Sequence, residues 1–243
     1  MAIFTENLFS MANLYLVPNV LSECDWQSVL PAGIKQIVTN TRFFIVEDVR
    51  TVRRFLKQVN PEININELTF FELNKFTQPS DLPTFLKPAA DGNDIAVVSE
   101  AGCPGVADPG ADVVRIAHQK GIKVVPLVGP SSVLLALMAS GMNGQNFAFN
   151  GYLPVKPAER VKALQELEKK TKFSHQTQIF IETPYRNNQL LQDILKSCQS
   201  QTLLCIAADI TGNEEFIVTK SIQQWKTAIP ELHNKPVIFL IGN

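Results

Sequence analysis

The stretch DIAVVSEAGCPGVADPGADVVRIAHQKGIKVVPLVGPSS, residues 94–132, decides the fold. It opens on the apolar run Ile95, Ala96, Val97 and Val98, which has the length of a fully buried strand. The next segment, SEAGCPGVADPG (99–110), holds three glycines and two prolines in twelve positions and suits neither helix nor strand. Asp108 before Pro109 has the pattern of an N-cap followed by proline at the first helical position. Val113, Val114, Ile116 and Ala117 supply a buried helical face, and Gly121 stands where a C-cap glycine ends it. Residues 122–128 read as a second strand, Gly129-Pro130 as a turn, and the segment from Ser131 to about Gly141 as a helix. Strand, helix, strand and helix in succession predict a parallel sheet covered by helices.

Working outward, 13–17 and 43–46 read as strands, and Val49, Val52, Phe55, Leu56 and Val59 mark the apolar face of a helix ending before Pro61. Arg50, Arg53, Arg54 and Lys57 fall elsewhere on that helix. After 142–146 the pattern restarts with a charged helix (Val161, Leu164, Leu167) and a strand at 178–181. Thr183-Pro184 then signals another helix start, with Leu190, Leu191, Ile194, Leu195 and Cys198 at helical spacing. Strands at 203–207, 215–219 and 237–241 complete a strand-rich second half. The expectation is an α/β protein of two domains, 1–127 and 128–243.

A composition 45% hydrophobic and 19% charged is that of a folded soluble chain rather than a disordered one. Twenty-two Lys and Arg against 23 Asp and Glu leave a formal charge of −1, so any nucleic-acid contact must come from a local patch. The four cysteines form no C-x-x-C pair and the three histidines lie far apart, which predicts neither a metal site nor a disulfide framework and suits a reducing, cytoplasmic compartment. The first ten residues lack the basic n-region and apolar core of a signal peptide. The uncharged segment 124–142 is as long as a membrane span, but Pro126, Gly129 and Pro130 make it a strand, turn and helix.

Ligands of open α/β sheets bind beyond the carboxyl ends of the strands. The loop 99–110 lies at such an end, and its glycines let main-chain amides approach a ligand without an intervening side chain. The next strand end, PLVGPSS, feeds a helix whose first amides near Ser131 and Ser132 suit a carboxylate or phosphate. There is no G-x-G-x-x-G after a strand and no G-x-x-x-x-G-K-S/T, so neither a dinucleotide fingerprint nor a P-loop is present.

EDVR (47–50), SEAGCPGVADPG (99–110), VVPLVGPSS (124–132), GYLPVK (151–156), IETPYR (181–186) and NEE (213–215) together resemble, in order, the bacterial methyltransferases that 2′-O-methylate a cytidine of small-subunit ribosomal RNA, within the tetrapyrrole methylase superfamily. The resemblance implies a two-domain α/β fold with mixed or parallel sheets and flanking helices, a homodimer, and S-adenosylmethionine in the inter-domain cleft. Its partner would be ribosomal RNA or the small ribosomal subunit, with no membrane involved. It assigns Gly102, Cys103, Pro104 and Val106 to the cofactor loop, Ser131 and Ser132 to a second contact, and Ile181, Glu182, Ala208, Asp209 and Pro236 to the adenosine. Pro18 falls where the first strand meets the ligand. On the acceptor side the chain departs from the family: PNVLSECDW (18–26) replaces a TPIGNLxDIT-like segment, EDTRH becomes EDVRT, HEHN becomes FELN (71–74), and RELTK becomes ADITG (208–212). A methyltransferase acting on a small metabolite, or a binding module without catalysis, therefore stays open beside the RNA enzyme.

On the resemblance, Glu47, Asp48 and Arg50 orient or deprotonate the acceptor hydroxyl; Glu100, which adjoins the cofactor loop, reads either as an alternative base or as a solvent-exposed loop carboxylate. Residue chemistry alone also allows Glu47 and Asp48 to be a strand-end carboxylate pair that caps the following helix, with Arg50 paired to it. Cys103 reads as a small apolar stand-in, because displacement at a sulfonium needs no covalent enzyme intermediate. Lys156, Arg160, Lys162, Lys169, Lys170 and Lys172 form one basic run and Arg50, Arg53 and Arg54 another, which suit either several phosphates or a solvated helix surface. Tyr152 and Tyr185 suit either base stacking or packing.

Overall fold

A computed structural model describes residues 12–243. The N-terminal segment read against a signal peptide lies outside the described residues. Two compact units emerge: the described residues up to Val20 with Asp25–Pro130, and Leu21–Cys24 with Ser131–Asn243.

The first unit contains β1 (Asn13–Val17), α1 (Gly33–Asn40), β2 (Phe43–Val46), α2 (Val49–Val59), β3 (Thr69–Glu72), two single turns α3 (Leu82–Phe85) and α4 (Lys87–Ala90), β4 (Ile95–Val98), α5 (Gly110–Gln119) and β5 (Lys123–Pro126). Its sheet runs β3-β2-β4-β1-β5 with every pair parallel. Because strand side chains alternate between faces, Val17, Phe44, Val46, Ala96 and Val98 pack on one side with α1 and α2. Leu14, Ile45, Ile95 and Val97 pack on the other with α3 and α5. All four residues of β4 are buried, as a central strand with helices on both faces requires.

The strand order locates the functional end of this unit. β1 and β4 are neighbours, yet β1 leads to α1 on one face and β4 leads to α5 on the other. Connections that leave adjacent strands toward opposite faces open a crevice beyond their carboxyl ends, the usual ligand position in a doubly wound sheet.

The second unit contains α6 (Ser132–Ser140), β6 (Phe147–Tyr152), α7 (Pro157–Ser174), β7 (Thr177–Ile181), α8 (Asn187–Ser197), β8 (Leu203–Ala208), β9 (Phe216–Ser221), the turn α9 (Ile222–Trp225) and β10 (Val237–Gly242). Its sheet is mixed, β6-β7-β10-β8-β9, with β6 and β7 parallel and the other pairs antiparallel. Residues from α7, α8 and α9 cover one face and residues from α6 the other.

Three sequence-based boundaries shift. α5 begins at Gly110, because Asp108 turns its carboxylate onto the loop and Pro109 occupies the N-cap. The strand expected over 122–128 is shorter, Lys123–Pro126. Thr183-Pro184 opens only a single 3-10 turn, Pro184–Arg186, before α8 starts at Asn187, and Thr183 makes no side-chain cap. Strands β3 and β6 are not among the expected ones; β3 carries only the short TFFE run at a sheet edge. No helix among the described residues is long and apolar enough to cross a membrane.

Candidate active site

The crevice of the first unit is built around one buried amide side chain. Asn19, two residues past β1, exchanges both main-chain hydrogen bonds with Gly102: its N–H donates to the Gly102 carbonyl at 2.9 Å, and the Gly102 N–H donates back at 3.1 Å. Its Nδ2 donates to the carbonyls of Ser99 (3.2 Å) and Glu100 (3.0 Å). Ser99 Oγ donates to the Gly102 carbonyl at 2.8 Å. The loops after β1 and β4 are thereby fastened to each other where the sheet divides. Gly102 lies at φ +72° and Gly105 at +78°, backbone conformations open to glycine and poor for L side chains.

Asp108 shapes the second half of the loop: its Oδ1 accepts from the Gly105 N–H (2.6 Å) and the Gly110 N–H (2.8 Å). Val106 N–H donates to the Cys103 carbonyl, and the Val106 side chain is exposed. The amides of Gly102, Gly105, Val106 and Gly110 thus hold the loop's own shape. Those of Cys103 and Ala107 make no hydrogen bond among the described residues; Pro104, buried between them, has none to give. Cys103 Sγ points at the Pro130 carbonyl (3.4 Å) and the Gly129 carbonyl (3.8 Å), joining this loop to the turn after β5. Burial and the Asp108 charge raise its thiol pKa, which keeps it protonated. Pro18 is buried, and a Cβ on Gly129 would lie 2.2 Å from its Cγ, so the turn backbone at 129 approaches the Pro18 ring more closely than a side chain there permits.

Glu47 follows the carboxyl end of β2. Burial, then the charges of Asp108 and Glu100, push its carboxyl up to about 7, against an opposing hydrogen bond from the Glu100 backbone. Asp108 is raised by burial as well. Asp48 behaves oppositely: its Oδ1 accepts from the Thr51 N–H at 2.6 Å as the N-cap of α2, and that bond first, with Arg54 and Arg50 contributing, holds it below the usual carboxylate range. Arg50 is exposed and forms no ion pair among the described residues. A cavity of about 660 Å³ lined by Ala12, Leu86, Ala90 and Ile122 lies at the opposite, amino ends of the strands.

In the second unit, Ser131 is the N-cap of α6, its Oγ accepting from Leu134 N–H at 3.4 Å, and Ser132 is the first helical residue. Glu182, buried just past β7 beside Ile181, accepts from Thr183 N–H (2.6 Å) and pairs with Arg186 (2.6 Å). Ala208 ends β8, and Asp209 at φ +48° donates its N–H to the Pro236 carbonyl. The Asp209 carboxylate accepts from Glu214 N–H (2.9 Å) and lies so close to Gly212 that a Cβ there would meet it at 2.3 Å. Arg160 leaves the basic run: it is 3% exposed and donates from Nε and Nη2 to Asp193 Oδ2, with Nη1 on the Val155 carbonyl. No cluster of potential metal ligands occurs among the described residues.

Sequence reasoning missed Asn19 and Gly129. A polar residue directly after a strand-ending proline was a turn signal for the first, whereas the second gave none beyond being a turn glycine.

Comparison with known proteins places this geometry in a class. The crystal structure of the methyltransferase CobJ matches with a TM-score of 0.63 at 18% identity, covering 96% of this chain and 93% of that one, which shows that the two share a fold. The chain also matches the Tetrapyrrole (Corrin/Porphyrin) Methylases over residues 43–225. It is 31% identical over 222 residues to the Ribosomal RNA small subunit methyltransferase I of Vibrio cholerae serotype O1, spanning 91% of this chain and 73% of that protein. The protein of the same name from Streptococcus pyogenes serotype M6 is 32% identical over 229 residues, 94% of this chain and 75% of the relative. The chain belongs to the tetrapyrrole methylase family, and it is a methyltransferase.

Proposed function

We propose that the chain transfers a methyl group from S-adenosylmethionine to a 2′-hydroxyl of small-subunit ribosomal RNA. The observation that carries this reading is the match, along more than nine tenths of the chain, to relatives named for methylating that RNA. When bound, S-adenosylmethionine supplies an electrophilic methyl group on a sulfonium. The residues fit such a donor. The fastened loop presents the Cys103 and Ala107 amides, unused among the described residues, over a glycine-shaped backbone at 102 and 105. Pro18, against whose ring Gly129 packs, is proposed on the sequence resemblance as a further donor contact.

Glu47 is the base in this reading. A carboxyl near pH 7 is ionised in a large fraction of molecules at neutral pH yet basic enough to take the proton of a hydroxyl as it becomes nucleophilic. Glu100 and Asp108 raise its basicity, and Asp48, tied to Thr51, fixes the start of α2. Ser131, Ser132, Ile181, Glu182, Ala208, Asp209 and Pro236 are proposed as donor contacts on the strength of the sequence resemblance, as are a homodimeric state and a cytoplasmic location. Leu134 and Met138, exposed on α6, are the apolar side chains to replace when sedimentation tests the dimer.

Calorimetric titration with S-adenosylmethionine, followed by transfer of labelled methyl groups to purified small ribosomal subunits, tests the whole. Stoichiometric binding and label on RNA are expected. Binding without label on RNA would remove the acceptor assignment and leave a methyltransferase with another substrate.

A further inference from the structure

α2 carries a feature that methyl transfer leaves unused. Arg50, Arg53, Arg54 and Lys57 stand at i, i+3, i+4 and i+7, one exposed stripe along the helix, while Val52, Phe55, Leu56 and Val59 lock the other face into the core. The stripe spans about 10 Å at the helical rise of 1.5 Å per residue. None of the four cations is within ion-pair distance of a carboxylate among the described residues, whereas Arg42, Arg115, Lys156, Arg160, Arg186 and Lys235 each have one. Like charges three and four apart destabilise a helix by roughly 0.2–0.5 kcal/mol per pair, so a row of this kind is unfavourable until a polyanion neutralises it.

The stripe walls a groove of about 550 Å³ that Ile65, Asp48 and Glu72 also line. Asp48 is turned onto the helix end by its bond to Thr51 N–H. Two of the cations are held in position: the Arg53 guanidinium lies 5.2 Å from the Phe70 ring centre, and Lys57 Nζ donates to the Pro61 carbonyl at 2.9 Å. Phe70 in turn stacks on buried Phe44 at 5.7 Å, which anchors the platform in the core.

We propose that this groove is the track for the sugar-phosphate backbone of a single-stranded RNA segment, with Arg50, Arg53, Arg54 and Lys57 contacting successive phosphates. The proposal rests on RNA being the acceptor and adds where the RNA lies. The stripe begins three residues beyond Glu47, so a strand seated on it passes the carboxyl end of β2. The stripe's length suits a short run of phosphates, and such contacts position the strand without reading its bases.

The test measures binding of fluorescent oligouridine to the full chain by anisotropy across a range of KCl concentrations. Each phosphate contact on a single strand contributes about 0.7 to the slope of log affinity against log salt. The triple variant Arg53→Gln, Arg54→Gln, Lys57→Gln is expected to flatten that slope by about 2 and to weaken binding at low salt at least tenfold. Its calorimetric affinity for S-adenosylmethionine should equal that of the unaltered protein, which also shows that it is folded. Lys169→Gln with Lys170→Gln, on α7, should leave the slope unchanged. An unaltered slope in the α2 variant, an equal loss in the α7 variant, or no oligouridine binding by a protein that binds the donor would each overturn the track. Failure to bind the donor at all would instead remove the underlying functional reading.

Discussion

Glu47 unites placement and chemistry in one side chain, and its ionisation yields two measurements. Its carboxyl titrates at about 7 in the folded protein against an ordinary value of 4.5. The proposal that it is the base predicts that kcat/KM rises with pH through about 7 and then levels off; Glu47→Gln should lower the rate roughly 10²–10⁴-fold and abolish that limb. For stability the sign is reversed. A raised carboxyl pKa gives a contribution fully present below pH 4.5 and lost as pH rises through 7. Thermal unfolding should therefore show Glu47→Gln more stable relative to the unaltered protein at pH 8 than at pH 5, and an equal difference at both would show that the group is not perturbed. Asn19 makes a complementary case. Asn19→Ala removes both side-chain bonds to the 99–100 carbonyls and should cost about 1–3 kcal/mol in denaturant unfolding, together with a clear loss of donor affinity as the loop slackens.

At the level of elements, two junctions decide whether loops and helices keep their places. The buried pair Arg160–Asp193 ties the first turn of α7 to α8 and, through Val155, holds the segment after β6. Breaking it leaves a buried charge without a partner, so Arg160→Leu or Asp193→Leu alone should cost about 3–5 kcal/mol. The double leucine variant should lose distinctly less than the two single losses added, a non-additivity that urea unfolding of the four proteins reads directly. The second junction is the approach of Gly129 to Pro18. Gly129→Ala places a methyl 2.2 Å from the ring, which forces the turn after β5 away from β1. The expected loss is about 1–3 kcal/mol, visible in thermal unfolding, and Pro18→Gly in the same chain should recover part of it.

For the whole molecule, the near-balance of charge sets what binding can do. A net charge of −1 supplies no long-range attraction for RNA, so affinity must come from local cations and fall steeply with salt. A donor that binds only the folded chain stabilises it by about 2.7 kcal/mol at one hundred times its dissociation constant. Thermal unfolding at rising S-adenosylmethionine should show that dependence; a melting temperature indifferent to the donor would contradict the proposed site.

Most of the architecture was readable from residue order. The parallel first sheet follows from apolar runs of four separated by amphipathic helices, since fully buried strands need helices on both faces. The loop 99–110 was visible too, because glycine and proline mark positions that regular structure rejects. Its energetics were not: amides expected to face a ligand at 102 and 105 are bonded to Asn19 and Asp108. Arg160 looked like surface charge for the same reason, as nothing in a local pattern reveals that a partner thirty-three positions away will bury it. Sequence alone determined the succession of elements and the punctuation between them, which depend on near neighbours along the chain. Only the tertiary structure decided which polar groups are already satisfied, which carboxyl is lifted toward neutrality, and which cations stand unpaired, because those properties arise from desolvation and from charges that meet only when distant segments fold together.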